Sequence, residues 1–261
     1  MRIAIGTLCT LACVALNAHA GTVYETTTRE LAGGKDSSTK LLVQSGKLRV
    51  ERTEQGNDGV MIYKDEAVHV LNPKEKNYVL IDRAAIKQFA DKVNPALKQM
   101  EEQLKNMSPE QRAMVEKMMG SRLPQQEAAP AEVVKTARKD KIAGIACTYS
   151  EVRRNGAIEQ ELCLAPPSSL TGGQEMFDVA RKMSALMEEM LSSLQSPTLR
   201  QSLGEQVQPY AKLDGFPVFS RVYEGGKPSL ETTLTSMRSE TIAAGQFDVP
   251  AGYTRKDMMP K

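Results

Sequence analysis

Short runs in which apolar and polar residues alternate, separated by turn residues, fill the chain from residue 22 to residue 82. In KLRVERTE (47–54), Leu48 and Val50 alternate with charged residues, a period of two that puts one face of a strand on a core. Two turns are expected at Ser45-Gly46 and Asp65-Glu66. The spacing of runs and turns predicts an antiparallel meander. The other runs are 22–30, 39–46, 59–64, 67–72 and 76–82.

The hydrophobic period changes to three and four residues after residue 82, which predicts an amphipathic helix. Asn94-Pro95 is expected to kink or restart this helix. Ser108 as the N-cap, Pro109 at the first position and Gln111 completing a capping box predict a further helix start. Gly120 is the expected stop. The apolar stripe comprises Ile86, Phe89, Ala90, Val93, Leu97, Met100, Leu104 and Met107, and Met114 continues it.

The second half of the chain repeats the order of strands followed by a helix. Residues 121–131 have the composition of a flexible linker. Strands are predicted over 133–139, 145–154 and 157–165, and again over 216–224 and 229–242. Between them, Met176, Ala180, Met183, Met187, Met190 and Leu194 predict a second amphipathic helix, and TLRQSLG (198–204) a short helical piece.

This order of elements predicts an α+β fold. There is no regular alternation of strand and helix, so a parallel sheet is not expected. We expect a curved antiparallel sheet, a half-barrel, with amphipathic helices covering its concave face. We expect residues 21–261 to form one domain.

The first twenty residues have the pattern of a secretory signal peptide. Arg2 is followed by an apolar stretch, and Ala18-His19-Ala20 is a cleavage signal, which places the cut between Ala20 and Gly21. Lipid modification at Cys13 is the alternative, but Thr10-Leu11-Ala12 has Thr where a lipobox normally has Leu. Cleavage would deliver the protein to the periplasm or the outside of the cell.

Composition and charge exclude some partners. The net charge is only +2 at pH 7, without a basic tail, so nucleic acid is not an expected partner. No stretch after the leader is apolar enough to cross a membrane. Tryptophan is absent, whereas methionine occurs 14 times.

Cys147 and Cys163 are the two cysteines left after leader removal, and in an oxidising compartment an even pair predicts a disulfide. Asn155-Gly156 is a strong hairpin signal. If the loop has three residues, Arg153 pairs with Ala157 and the two cysteines lie directly opposite each other. A redox role is disfavoured because there is no Cys-x-x-Cys at a helix start.

No catalytic motif is present, so we expect a protein that is not an enzyme and has no cofactor or metal. His69 is the only histidine outside the leader, and it lies in a strand, which favours a packing or surface role. Gly33-Gly34-Lys35-Asp36 lacks the flanking residues of a phosphate-binding loop. The carboxylate pairs, among them Glu159 and Glu161, are expected on solvated faces.

The methionines of the two helices allow three interpretations. They can fill a core, since Met adapts to irregular gaps. They can line a soft cavity for acyl chains or partner helices. They can also bind Cu(I) through thioether sulfur, with Met114 and Met118 as an i,i+4 pair. Their place in stripes with Leu, Phe and Val favours packing.

Several phrases together resemble a family of uncharacterised bacterial secreted proteins related to the LolA/LolB lipoprotein-localisation fold. They are VQSGKLRVE (43–51), MIYKDEAVHVLNPKEKNYVLID (61–82), QLKNMSPEQRAMVEKMMG (103–120) and FDVPAGY (247–253). The resemblance implies a half-open antiparallel barrel plugged by helices, with an apolar cavity that holds acyl chains in the characterised relatives. The chain departs from that pattern in lacking tryptophan.

The function expected from these patterns is binding of an apolar ligand (a lipid or acyl chain) or of a lipoprotein. The alternatives are a structural or stress-response envelope protein with a filled core, and a copper binder. The residues expected to line the cavity are Phe89, Val93, Leu97, Met100, Leu104, Met107, Met114, Met118, Met183, Met187 and Met190.

Overall fold

The computed structural model describes residues 20–54, 58–108, 110, 111, 130–196, 200, 204 and 213–258. Twelve strands occur in this part of the chain. They are β1 (Ala20–Glu30), β2 (Asp36–Gln44), β3 (Lys47–Thr53), β4 (Gly59–Lys64), β5 (Ala67–Asn72), β6 (Asn77–Ile81), β7 (Glu132–Ile142), β8 (Ile145–Arg154), β9 (Ala157–Ala165), β10 (Phe216–Glu224), β11 (Lys227–Thr241) and β12 (Thr254–Lys256). The two α-helices described are α1 (Arg83–Asn106) and α2 (Gly173–Ser193).

All twelve strands belong to one open sheet in the order β12-β6-β5-β4-β3-β2-β1-β11-β10-β9-β8-β7. The predicted meander is confirmed for β1 to β6, and β7 to β11 form a second one. Pairing of β1 with β11 joins them. The short β12 pairs in parallel with β6, an addition that the sequence patterns did not predict. The α+β class with an antiparallel-rich sheet is confirmed.

The part of the sheet formed by β1 to β6 has apolar side chains on both faces, because neighbouring residues of a strand point to opposite faces. Tyr24, Val43 and Tyr63 lie on the side that carries the helices, which we call the helix face. Val23, Leu42 and Ile62, one residue earlier in each strand, form a separate core on the opposite face. This half of the sheet therefore has a core on each side.

The chain after β11 covers the opposite face. A 3₁₀ helix (Ala244–Phe247) puts Phe247 into that core. The Arg49 guanidinium donates a hydrogen bond to the Gln246 carbonyl (2.9 Å), and Lys64 forms an ion pair with Asp248 (2.6 Å). The segment 247–253 (FDVPAGY) therefore covers a second core.

Helix α2 begins in a tight contact with β1. Gly172 has φ +62°, and a Cβ there would lie 2.2 Å from Thr22 Oγ1, so this position requires glycine. The Tyr24 hydroxyl donates to the Thr171 carbonyl (2.5 Å). Burial of Tyr24, and then the nearby Glu175 carboxylate, raise the pKa of that hydroxyl to about 12. These contacts fix where α2 enters the helix face.

Helices α1 and α2 are tied together by Asn94. Its side-chain amide donates to the Ser193 carbonyl (3.1 Å) and its oxygen accepts from the Gln195 backbone N–H (2.8 Å). α1 runs through Pro95 as one helix, so a restart there is wrong, and the alternative, a kink, stays a prediction. The predicted capping box is confirmed: the Ser108 hydroxyl accepts from the Gln111 N–H (3.3 Å) and the Gln111 side chain accepts from the Ser108 N–H (3.1 Å).

The predicted disulfide between Cys147 and Cys163 is confirmed, with a Cα–Cα distance of 5.3 Å. The predicted register is wrong. Asn155 (φ 51°) and Gly156 (φ 78°) form a two-residue turn, and an irregularity between Val152 and Arg153 shifts the register by one more residue, so that Cys163 pairs with Tyr149. The two cysteines are therefore diagonal neighbours. An Asn-Gly pair supports loops of two or three residues, and the sequence does not distinguish them.

Several sequence predictions fall outside the described residues. They concern the leader 1–19 with Cys13, Met114, Met118 and Gly120, nearly all of the linker 121–131, and most of 198–204. Ala20 is the first residue of β1, and signal cleavage after it stays a prediction. Within the described part, no helix is long and apolar enough to span a membrane.

Candidate functional site: an apolar groove beside α2

Two parallel rows of apolar side chains cross strands β2 to β6 on the helix face. The first, which we call the covered row, is closed in by the helices. The second, the open row, lies two residues further from the β2–β3 and β4–β5 turns. The strand register aligns Val43, Leu48, Tyr63, Val68 and Ile81 in the covered row, and Leu41, Val50, Met61, Val70 and Val79 in the open row.

Exposure differs between the two rows. Val43, Leu48, Tyr63 and Val68 of the covered row are buried. Every member of the open row keeps some exposure, and Val70 is 44% exposed. Leu41, Val50 and Met61 also pack with part of their surface against the main core. A continuous row of partly exposed apolar residues on five strands is an exception to the single scattered apolar residues of ordinary surfaces.

Contacts with the turns place α2 over the covered row. The Gly46 N–H, in the β2–β3 turn, donates to the Glu175 carboxylate (2.7 Å). Arg83 joins Glu66 of the β4–β5 turn (2.6 Å) to Glu189 of α2 (3.0 Å). α2 therefore runs across the strands close to these turns, with Glu175 and Glu189 on its turn side.

Helix geometry then assigns the other sides of α2. Successive residues are rotated by about 100°, so Met176, Val179 and Leu186, which are buried, point down onto the sheet. The same rotation places Met187 and Leu191 on the flank of α2 that faces away from the turns. This flank lies above the open row. Met187 is 41% exposed. This geometry implies a space between the flank and the open row, which we call the groove.

The expected cavity residues are separated by the structure. Met183 and Met190 pack against the main core, whereas Met187 lies on the groove flank. Phe89 lines a small pocket at the sheet edge, with a volume of about 30 Å³. Val93, Leu97 and Met107 are half-buried, and Met100 is 37% exposed. The Leu104 side chain, like Met114 and Met118, lies outside the described part. Whether these residues bind a ligand stays a prediction.

The open row was not among the residues singled out in the sequence. Its members lie in strands, whereas the residues predicted to line a cavity lie in the helices. The signal was available in the two-residue turns at Ser45-Gly46 and Asp65-Glu66, which set the register that aligns Leu41 with Val50 and Met61 with Val70.

The members of the open row are all uncharged, and among the described residues a cation lies in register with the last of them. Lys256 in β12 pairs in register with Val79, the last residue of the open row. Lys92, Arg255 and Lys256 also line the small pocket beside Phe89, with Asp257 as their only acidic companion there. Of these, Lys256 is the cation that the register places next to the open row.

A second group of polar residues lies around Glu161, and here the expectation of a solvated carboxylate is wrong. The Glu161 side chain is 7% exposed. Its oxygens accept from Arg138 (2.7 Å) and the Tyr223 hydroxyl (2.6 Å), with Arg221 at 3.5 Å. The Arg138 guanidinium lies 3.5 Å over the Tyr149 ring. Because the carboxylate is fully paired, this cluster has the character of a structural ion network.

The described residues offer no other centre of chemistry. His69 lies on the opposite face, with its ring 5.9 Å from that of Tyr78, and burial lowers its pKa. No group of three or more His, Cys, Asp or Glu side chains in the described ranges could hold a metal ion.

The sequence matches no protein-family model and no curated protein. Solved structures with a similar arrangement include an uncharacterised conserved protein from Thermus thermophilus (8% identity, 90% of this chain and 89% of that one, TM-score 0.43). The Pseudomonas aeruginosa MucA/MucB complex gives 10% identity, 90% and 56% coverage and a TM-score of 0.37. PNGF-II gives 11%, 92% and 31%, and 0.33.

This chain thus spans little more than half of the second matched structure and about a third of the third. With TM-scores below 0.5, we draw no functional argument from any of them. The lipoprotein-localisation family stays a resemblance in sequence phrases, and the site is interpreted from its own geometry.

Proposed function

We propose that this is a non-enzymatic periplasmic protein that binds an apolar chain, of a lipid or a lipidated partner, in the groove beside α2. The observation that carries the proposal is the partly exposed row Leu41, Val50, Met61, Val70 and Val79. Leaving such a row in water costs roughly 25 cal/mol per Å² of apolar surface, so covering it with an apolar ligand is favourable.

Further features agree with this proposal. The flank of α2 above the row contributes the flexible side chain of Met187, which adapts to varied apolar ligands. The Cys147–Cys163 disulfide agrees with an oxidising compartment such as the periplasm. We also propose that the sheet curves around α1 and α2 as a half-barrel, which would put the groove on its concave side.

The test compares two exposed apolar residues of similar exposure. Val70, the β5 member of the open row, is 44% exposed, and Leu31 is 40% exposed at the β1–β2 turn, away from that row. We expect Val70→Gln to weaken binding of a fluorescent fatty-acyl probe about five- to tenfold, because about 1 kcal/mol of apolar contact is lost. Leu31→Gln should bind as the wild type does.

Three outcomes would contradict the proposal. The first is an equal effect of the two substitutions, and the second is no binding of the probe to the wild type. The third is self-association of the wild type that Val70→Gln abolishes, since the groove would then hold a second copy. Thermal unfolding of each variant checks that the fold is retained.

A protein with a filled core is the second candidate function, and one observation favours it. Met183 and Met190 pack against the core under α2, where a cavity was expected. A purely structural envelope protein would show no acyl-probe binding at all. Lipid extraction and mass spectrometry of the protein purified from the periplasm would then recover no stoichiometric lipid.

A further inference from the structure

We infer that the groove selects a single-chain amphiphile with an anionic head, a long-chain fatty acid, whose carboxylate pairs with Lys256. This inference rests on the proposed function and deepens it. It combines the width of the groove with the position of charge at its end.

The open row is wide enough for a single acyl chain. On one side lies the covered row, which α2 closes. On the other side, two residues further from the turns, the strands present Thr39, Arg52, Gly59, Asn72 and Asn77, none of which has an apolar side chain. Only one apolar row remains between them, running across the strands for four intervals of about 4.8 Å, roughly 19 Å. A two-chain lipid would have to lay its second chain on polar residues.

The charge at the end of the row favours an anionic head. Lys256 lies in register with Val79, and Lys92 and Arg255 line the adjoining pocket with it. Among the described residues, no carboxylate lies within ion-pair distance of Lys256. Arg52, the cation beside Val50, is already paired with Glu54 (3.0 Å). A chain lying on the open row therefore meets an available positive charge at the β12 end.

The experiment compares palmitate with hexadecanol, which has the same chain length and no charge, by displacement of a fluorescent acyl probe at low ionic strength. In the wild type, palmitate should bind more tightly than hexadecanol. Lys256→Gln should weaken the binding of palmitate about two- to fivefold, the usual effect of an exposed ion pair. It should leave the binding of hexadecanol unchanged. Lys227→Gln, in the distant β10–β11 turn, is the matched control. Added salt should reduce the preference for palmitate.

The outcomes separate this inference from the proposed function. Equal binding of palmitate and hexadecanol to the wild type, or equal effects of Lys256→Gln and Lys227→Gln, would overturn the head-group inference and leave the apolar groove standing. Tighter binding of dipalmitoyl phosphatidylglycerol than of palmitate would overturn the single-chain inference. Absence of binding by every probe would overturn the proposed function itself.

Discussion

At the residue scale, Glu159 and Glu161 show how far environment outweighs sequence. The two carboxylates lie two positions apart in β9, and Glu159 is the residue that the pairing of β9 with β8 skips at a register irregularity. Glu159 is 44% exposed in a pair with Arg154, whereas Glu161 is 7% exposed among Arg138, Arg221 and Tyr223. The difference comes from β10 and β7, which are distant in sequence.

Glu161 makes stability depend on pH. Burial alone would raise its pKa, but the hydrogen bonds from Tyr223 and Arg138, together with the charge of the arginines, outweigh burial and hold the pKa below 4.5. A carboxyl with a lowered pKa in the folded state contributes stability above its unfolded pKa, and that contribution is lost as the pH falls through the folded value.

We therefore expect Glu161→Gln to lower the free energy of unfolding at neutral pH by about 1–3 kcal/mol. The variant should also lose stability less steeply than the wild type below about pH 4.5. Urea unfolding over a series of pH values measures both effects. Glu159→Gln is the control, with an expected change of about 0–1 kcal/mol. Equal changes in the two variants would rule out a special role for the cluster.

At the element scale, the position of α2 depends on its first residues. The spacing of Met176, Met183 and Met190 predicted the helix correctly, but it contains no information about where the helix begins. Gly172 adopts a left-handed conformation against Thr22, and Glu175 accepts the Gly46 N–H. These contacts place the helix over the covered row and leave the open row beside it.

Gly172→Ala tests this anchor. The left-handed backbone should cost about 1–2 kcal/mol, and the contact of the new Cβ with Thr22 a further 1–3 kcal/mol or so. Gly225→Ala is the matched control: Gly225 has φ +58° and no neighbour within 4 Å of its ideal Cβ, so it reports the backbone cost alone. Chemical unfolding of both variants gives the difference. A cost for Gly172→Ala no larger than for Gly225→Ala would show that the contact is easily relieved.

At the scale of the whole molecule, the two meanders are held together by contacts between the ends of the chain. β1 pairs with β11, and the segment after β11 returns across the opposite face to add β12 beside β6. Phe247 is the main apolar anchor of this segment, 2% exposed among Val23, Leu42 and Ile62. The C-terminal segment therefore completes the core of the N-terminal meander.

We expect Phe247→Ala to reduce the free energy of unfolding by about 3–5 kcal/mol, as for a large side chain removed from a core. Val249→Ala, in the same segment at the border of that core, should cost clearly less. Urea denaturation of the two variants measures the difference. A loss below about 1 kcal/mol for Phe247→Ala would mean that the segment is not needed to cover this face.

The sequence by itself determined the elements and several of their junctions. The alternation around Leu48 and Val50, the helical spacing of the methionines, the Ser108–Gln111 capping box and the Cys147–Cys163 pair all follow from interactions between residues near in sequence or from compartment chemistry. For these, local conformational preference and hydrophobic periodicity suffice.

Only the tertiary structure decided the rest. It set the register at Asn155-Gly156, left Met187 exposed while Met183 packed against the core, buried Glu161 and placed Lys256 in register with the end of the open row. Each of these outcomes depends on which distant strand or helix packs against the residue. Periodicity shows that a residue belongs to an apolar face, but the partner that covers this face, or leaves it open, is determined by packing of the whole chain.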